Sequence, residues 1–156
     1  MKVSLQWAQQ YSNVDLLALS TDEILKRIGS QLGAVEEVIN IGSRYDKIVA
    51  ARVVDCQKHS GADKLNVCLI DDGGVTPDVE RNADNLVQVV CGAPNVRAGL
   101  LVAWLPPGST VPSSIEKDPF VLGARELRGV VSNGMLASAH ELGISDDHDG
   151  LLEISA

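Results

Sequence analysis

Arg125-Glu126-Leu127-Arg128-Gly129-Val130-Val131-Ser132-Asn133-Gly134-Met135-Leu136-Ala137-Ser138 is the stretch whose reading decides the fold. Leu127, Val130, Met135 and Leu136 are apolar, while Arg125, Arg128, Ser132, Asn133 and Ser138 set cationic and hydrogen-bonding groups around a Gly-rich turn. Such a segment lends a barrel two strands and a polar face. Strand alternation puts Glu126 and Arg128 on one side and Arg125 and Leu127 on the other. Leu127 is therefore expected to face the core, Arg125 to reach solvent from the strand's start, and Arg128 to be exposed well inside the strand.

Working outward, His59-Ser-Gly-Ala-Asp-Lys-Leu65 and Cys91-Gly-Ala-Pro-Asn-Val96 have the same character, each joining or leaving an apolar run. Strands are expected over Ile48–Cys56, Asn66–Ile70, Leu86–Cys91 and Leu100–Leu105, then Phe120–Leu122, Leu127–Val131 and Met135–Leu136. Ala93–Gly99 suits one helical turn, and Pro106-Pro107-Gly108 and Asp72-Gly73-Gly74 suit turns. Short strands at this spacing, punctuated by Gly and Pro, argue for an antiparallel barrel. The acidic insert Asp71–Asn85 is expected to be a mobile hairpin tip, because Gly73, Gly74, Pro77 and Asn82 among its acids bury little apolar area.

Residues 1–45 read as a small α/β appendage. Ser20-Thr-Asp-Glu23 fits a capping box ahead of Ile24, Leu25 and Ile28, with Gly33 as the stop. A short helix from Leu5 to Tyr11 carries Trp7 as a partly buried anchor. Val35, Val38, Ile39 and Ile41 suggest a short strand or extended passage. At the other end, Asp146-Asp147-His148-Asp149-Gly150 reads as a solvated turn rather than a hard-cation site, and Leu151, Leu152 and Ile154 begin an apolar strand.

Composition limits the functions available. Three cysteines, Cys56, Cys68 and Cys91, with no secretory pattern suit small buried thiols in a reduced compartment, and no set of metal ligands stands at zinc spacing. No apolar run reaches the ~20 residues of a membrane helix. A cytoplasmic protein is expected. The net charge of −8 argues against non-specific nucleic-acid binding. The segment 71–85 holds five acids and one Arg, however, and without it residues 46–141 are close to neutral. That permits a local cationic face. No phosphate loop, nucleophile elbow or HExxH is present, so no catalytic site is expected.

Together these stretches resemble the tRNA-binding OB-fold domain of the bacterial phenylalanyl-tRNA synthetase beta subunit. Met1-Lys-Val-Ser-Leu-Gln-Trp7 and Glu141-Leu-Gly-Ile-Ser-Asp-Asp-His-Asp-Gly150 resemble that subunit outside the OB domain. Ser60-Gly61, Ala137 and the acidic insert depart from its pattern. The resemblance implies a mainly β fold with short helices, a five-stranded Greek-key OB barrel over 46–141 between an appendage at 1–45 and a return segment beginning at 142–156. It implies tRNA, rather than DNA or a membrane, as partner, along with the synthetase alpha subunit and further beta-subunit domains. ATP and magnesium would be bound elsewhere in the parent enzyme, with no cofactor in this fragment. RNA-contact candidates are Lys58, His59 and Lys64, Asn95 and Arg97, and Arg125, Arg128, Ser132 and Asn133. Two other readings remain open: a protein-assembly OB module, and a free-standing tRNA-binding or chaperone-like OB protein.

Overall fold

The computed structural model describes residues 2–155, which divide into two compact units, one up to Asn40 and one from Ile41 onward. In the first, α1 (Leu5–Gln9) is capped by the Ser4 hydroxyl, which accepts from the Trp7 N–H at 3.3 Å. In α2 (Thr21–Gln31) the Ser20 hydroxyl caps the Glu23 N–H, 3.2 Å away, and the Glu23 carboxylate pairs with Arg27 one turn on. Gly33, at φ +136°, stops the helix as expected. One expectation is corrected here, and one open choice between strand and extended passage is decided. Trp7 is 59% exposed and meets Tyr11 edge-on at 5.3 Å, so it anchors nothing in this unit. Residues 33–40 join no ladder, so among the described residues the unit is helical, and the passage through Val35 and Ile39 lacks a partner strand to bond.

In the second unit the period-2 pattern takes over. Strand β1 (Val49–Lys58) turns Ala51 and Val53 inward and Arg52 and Val54 outward. It pairs antiparallel with β4 (Leu101–Leu105) through its first half and with β2 (Asn66–Asp71) from Arg52 onward. A bulge between Val53 and Asp55 bends it as it passes from one partner to the other. Strand β3 (Val87–Cys91) lies on β2, while β5 (Ala124–Leu127) and β6 (Val130–Asn133) form a hairpin and β7 (Met135–Leu136) pairs with β4. The five-stranded order β3-β2-β1-β4-β7 makes a nearly closed antiparallel barrel, an OB-fold arrangement. The unbroken apolar run of β4 has a reason. Val102 and Trp104 fill the barrel with Ile70, Val87 and Val89, while Ala103 and Leu105 pack behind it with Val111, Ala137 and Leu142. A strand buried on both faces reads as continuous hydrophobicity.

Closure is completed by the run from Val130 to Leu136. Its first part lies beside β3, bonded through side chains: Gln88 Nε2 donates to the Val131 carbonyl at 2.8 Å and Ser132 Oγ accepts from the Val90 N–H at 2.9 Å. Its second part is ladder-bonded to β4, and the Trp104 indole N–H donates to the Asn133 carbonyl at 2.9 Å. Gly134 stands between the two parts.

Several segment readings are corrected. Leu127 pairs with Val130, so Arg128 and Gly129 are a two-residue turn with φ of 51° and 85°, which breaks the strand expected over 127–131. Leu127 is 37% exposed rather than in the core, because β5 is exposed along its whole length. Phe120–Leu122 makes only an isolated bridge, Thr110 to Val121, and 93–99 is a non-helical turn.

The acidic insert is ordered, against expectation. Asp72 has a fully buried side chain that receives both Arg81 guanidinium nitrogens, at 2.8 and 3.0 Å, and the N–H groups of Gly74 and Thr76. Arg81 also donates to the Thr76 and Asn85 carbonyls, and Val79 packs on the barrel core. Composition suggested disorder because it does not register a carboxylate and a guanidinium nine residues apart closing on each other. Downstream of the insert, residues after Glu141 also pack here: Leu142 and Leu151 enter the two cores, and Glu153 bridges Val102.

Candidate nucleic-acid interface

The loop 59–65 leaves β1 and returns as β2, so its course is set by two neighbouring strands. His59, 5% exposed, locks it to the β5–β6 hairpin. Its Nδ1 accepts the Gly61 N–H at 2.9 Å, which leaves Nε2 carrying the proton it donates to the Leu127 carbonyl at 3.0 Å. Gly61 runs beside the hairpin tip, where an added Cβ would stand 3.8 Å from the Arg128 carbonyl oxygen. Two segments far apart in sequence are thereby fixed side by side.

Each segment carries cations outward. Lys58 ends β1 just before the loop and Lys64 lies within it, Arg125 stands in β5 and Arg128 in the hairpin tip, and all four are exposed. Among the described residues none of the four has a carboxylate within ion-pair distance; Arg125 instead lies over the Phe120 ring, 5.4 Å from its centroid. Residues 58–65 hold two Lys and one Asp, and residues 124–129 two Arg and one Glu, so the paired segments are net +2 in a chain of −8. Unpaired cations carried on two adjoining segments of an acidic protein create a local positive field suited to phosphate.

The other candidate residues fall elsewhere or serve differently. Ser132 and Asn133 are buried: Ser132 Oγ donates to the Gly134 carbonyl besides accepting from Val90, and Asn133 Nδ2 donates to the Gln88 carbonyl at 3.4 Å. They mount the hairpin on β3 and offer nothing to solvent. Asn95 grips the C-terminal segment as a strand would, accepting from the Leu151 N–H at 2.8 Å and donating to its carbonyl at 3.0 Å. Arg97 pairs with both Glu153 oxygens, at 2.9 and 3.0 Å, which lowers the Glu153 carboxyl below its ordinary value. Its charge is thus already matched. At 146–149, Asp147 accepts from the Asp149 N–H, and no cluster of three His, Cys, Asp or Glu able to hold a metal occurs among the described residues.

Sequence reasoning missed two contributors. Gln88 carries no motif signal, yet it ties the hairpin down through the Val131 carbonyl. Ser138-Ala-His-Glu141 repeats the capping-box spacing: Glu141 Oε2 accepts from the Ser138 N–H at 2.6 Å, and the Glu141 N–H donates back to Ser138 Oγ at 3.3 Å. That signal was legible from S-x-x-E alone.

Residues 48–156, which include the barrel, the loop and the hairpin, match the family described as "Putative tRNA binding domain". The chain belongs to the tRNA-binding domain family. Over its full length this tRNA-binding chain is also similar to phenylalanine-tRNA ligase beta subunits. It is 38% identical to that of Nitrobacter winogradskyi, 41% to that of Rhodopseudomonas palustris and 42% to that of Bradyrhizobium diazoefficiens, aligning over 100% of this chain in each case. The chain spans 18% of the length of these relatives. No helix among the described residues is long and apolar enough to cross a membrane.

Proposed function

We propose that this chain contacts tRNA through Lys58, Lys64, Arg125 and Arg128 and serves, without a catalytic site of its own, as a tRNA-holding and architectural part of a phenylalanine-tRNA ligase beta subunit. The observation that carries this reading is the His59 bond to the Leu127 carbonyl, which sets two cation-bearing segments on one rigid frame. Preformed placement lowers the ordering cost of binding. With about four phosphate contacts and a single aromatic beside them, the face suits the backbone and shape of a folded RNA better than a run of stacked bases. The cytoplasm, the synthetase alpha subunit and the rest of the beta subunit complete this reading, and ATP, phenylalanine and magnesium belong to other parts of the enzyme.

Titration with tRNA at two salt concentrations tests it. Four phosphate contacts predict a fall in affinity of roughly 50- to 150-fold between 50 and 200 mM salt. Arg128→Asn is the cleaner of the obvious variants, because Asn-Gly is the preferred pair for this turn and residue 128 sits at φ 51°. The fold should hold or gain slightly in melting temperature while the salt slope drops by about one. Lys64→Glu should weaken binding further. Affinity unchanged in both variants would reject the face, and the absence of saturable tRNA binding would favour a protein-assembly role.

A further inference from the structure

Beside the cationic face lies a groove of about 530 Å³, open to solvent, to which Leu65, Pro94, Phe120, Leu127 and Leu136 contribute apolar walls. This volume is within the range of about 300–1,000 Å³ typical of small-molecule sites. Its polar lining is already engaged. Ser132 Oγ is bonded to Val90 and Gly134, and Ser138 and Glu141 are bonded to each other. The Glu141 carboxylate also sets the sign of what can enter, since a phosphate would meet a like charge there. At the groove's exposed edge stand Phe120, 43% exposed, and the Arg125 guanidinium over its ring. A planar ring and a planar cation against an apolar groove offer faces for stacking a base, while Arg128 and Lys64 remain for the adjoining phosphates.

We propose that the groove receives one unpaired nucleobase of the bound RNA, stacked against Phe120 and Arg125. This rests on the tRNA-binding reading above and adds to it the chemical group that enters. Because a base is neutral and flat, it can stack in a cleft whose Glu141 carboxylate disfavours a phosphate, and the cations outside supply the charge complementarity to its backbone.

Three variants examine the groove without removing a cation. Gly123 lines it, and a Cβ there meets nothing within 4 Å, so Gly123→Leu fills the cleft without backbone strain. Phe120→Ala removes the ring, and Phe120→Trp keeps a stacking face. With parent-like melting temperatures, Gly123→Leu and Phe120→Ala should each weaken tRNA binding by about 10-fold, while Phe120→Trp stays near the parent. The salt slope should be the same in all of them, since no phosphate contact is lost. Chemical probing should show one unpaired base of tRNA protected by the parent and not by Gly123→Leu. Parent-like affinity in both weakened variants overturns the base site and leaves the phosphate face standing, and would point to a protein occupant for the groove. Absence of tRNA binding by the parent itself overturns both proposals together.

Discussion

Gly134→Ala is expected to unfold the barrel or cost it about 4 kcal/mol or more, at the extreme end of single substitutions. Two penalties meet at this position. Gly134 has φ +85°, where a side chain is strained, and a Cβ would overlap the Leu105 carbonyl oxygen and stand only 3.0 Å from the Leu105 carbonyl carbon and the Pro106 Cα. Those are backbone atoms at the end of the doubly buried strand β4, so nothing flexible can yield. Gly129 supplies the control, having the same φ of +85° with nothing within 4 Å of its added Cβ. Gly129→Ala should cost only about 1–2 kcal/mol, the strain alone. Circular dichroism melts of the two variants measure the difference, and equal losses would show that the Leu105 contact matters little.

The second large effect is at the insert, where Arg81→Ala should cost about 3 kcal/mol at neutral pH by leaving the Asp72 carboxylate buried and without its cation. Burial alone would push the Asp72 carboxyl up. The Arg81 guanidinium and the N–H groups of Thr76 and Gly74 outweigh it and hold the group well below the usual carboxylate range. A carboxyl depressed in the folded state contributes stability that is present above its unfolded value, about pH 4, and is lost as pH falls toward the folded one. The gap between parent and Arg81→Ala should accordingly be widest near pH 7 and narrow below about pH 4. Urea melts at pH 7 and pH 3 decide it; a gap that is absent at pH 7, or constant with pH, would be inconsistent with the buried pair. Deleting Thr76–Asp84 removes Arg81 and Val79 together and should be at least as harmful, the reverse of what a mobile tip implies.

These residues show what a linear reading can carry. Strands β1 to β4 were legible because apolar runs punctuated by Gly and Pro admit few other structures, whereas the burial of β4 on both faces emerged only with its two cores. The hairpin tip was hidden because an arginine occupies a left-handed position where Asn or Gly would have signalled a turn. The Asp72–Arg81 pair was hidden because each residue read singly belongs to a solvated acidic loop. Among the site residues, polarity was visible and its direction was not: His59, Ser132 and Asn133 look like RNA ligands until their partners are found within the protein. Lys58, Lys64, Arg125 and Arg128 could be picked out by charge, but that the two segments carrying them adjoin depends on one histidine bond across sixty-eight residues.

The join between β3 and β6 has a consequence for how the barrel breathes. Every neighbour pair within the five-stranded sheet is held by a backbone ladder, whereas between its edge strand β3 and β6 of the hairpin Gln88, Ser132 and Asn133 span the gap with side chains. Side chains can let go one at a time, while a ladder parts cooperatively. In hydrogen exchange the Val90 amide, held by the Ser132 hydroxyl, should accordingly exchange through a smaller opening than the ladder-bonded amides of β1 and β4. Val90 and Ser132, which make this seam, also line the groove beside Phe120, so the seam expected to open most cheaply borders that cleft.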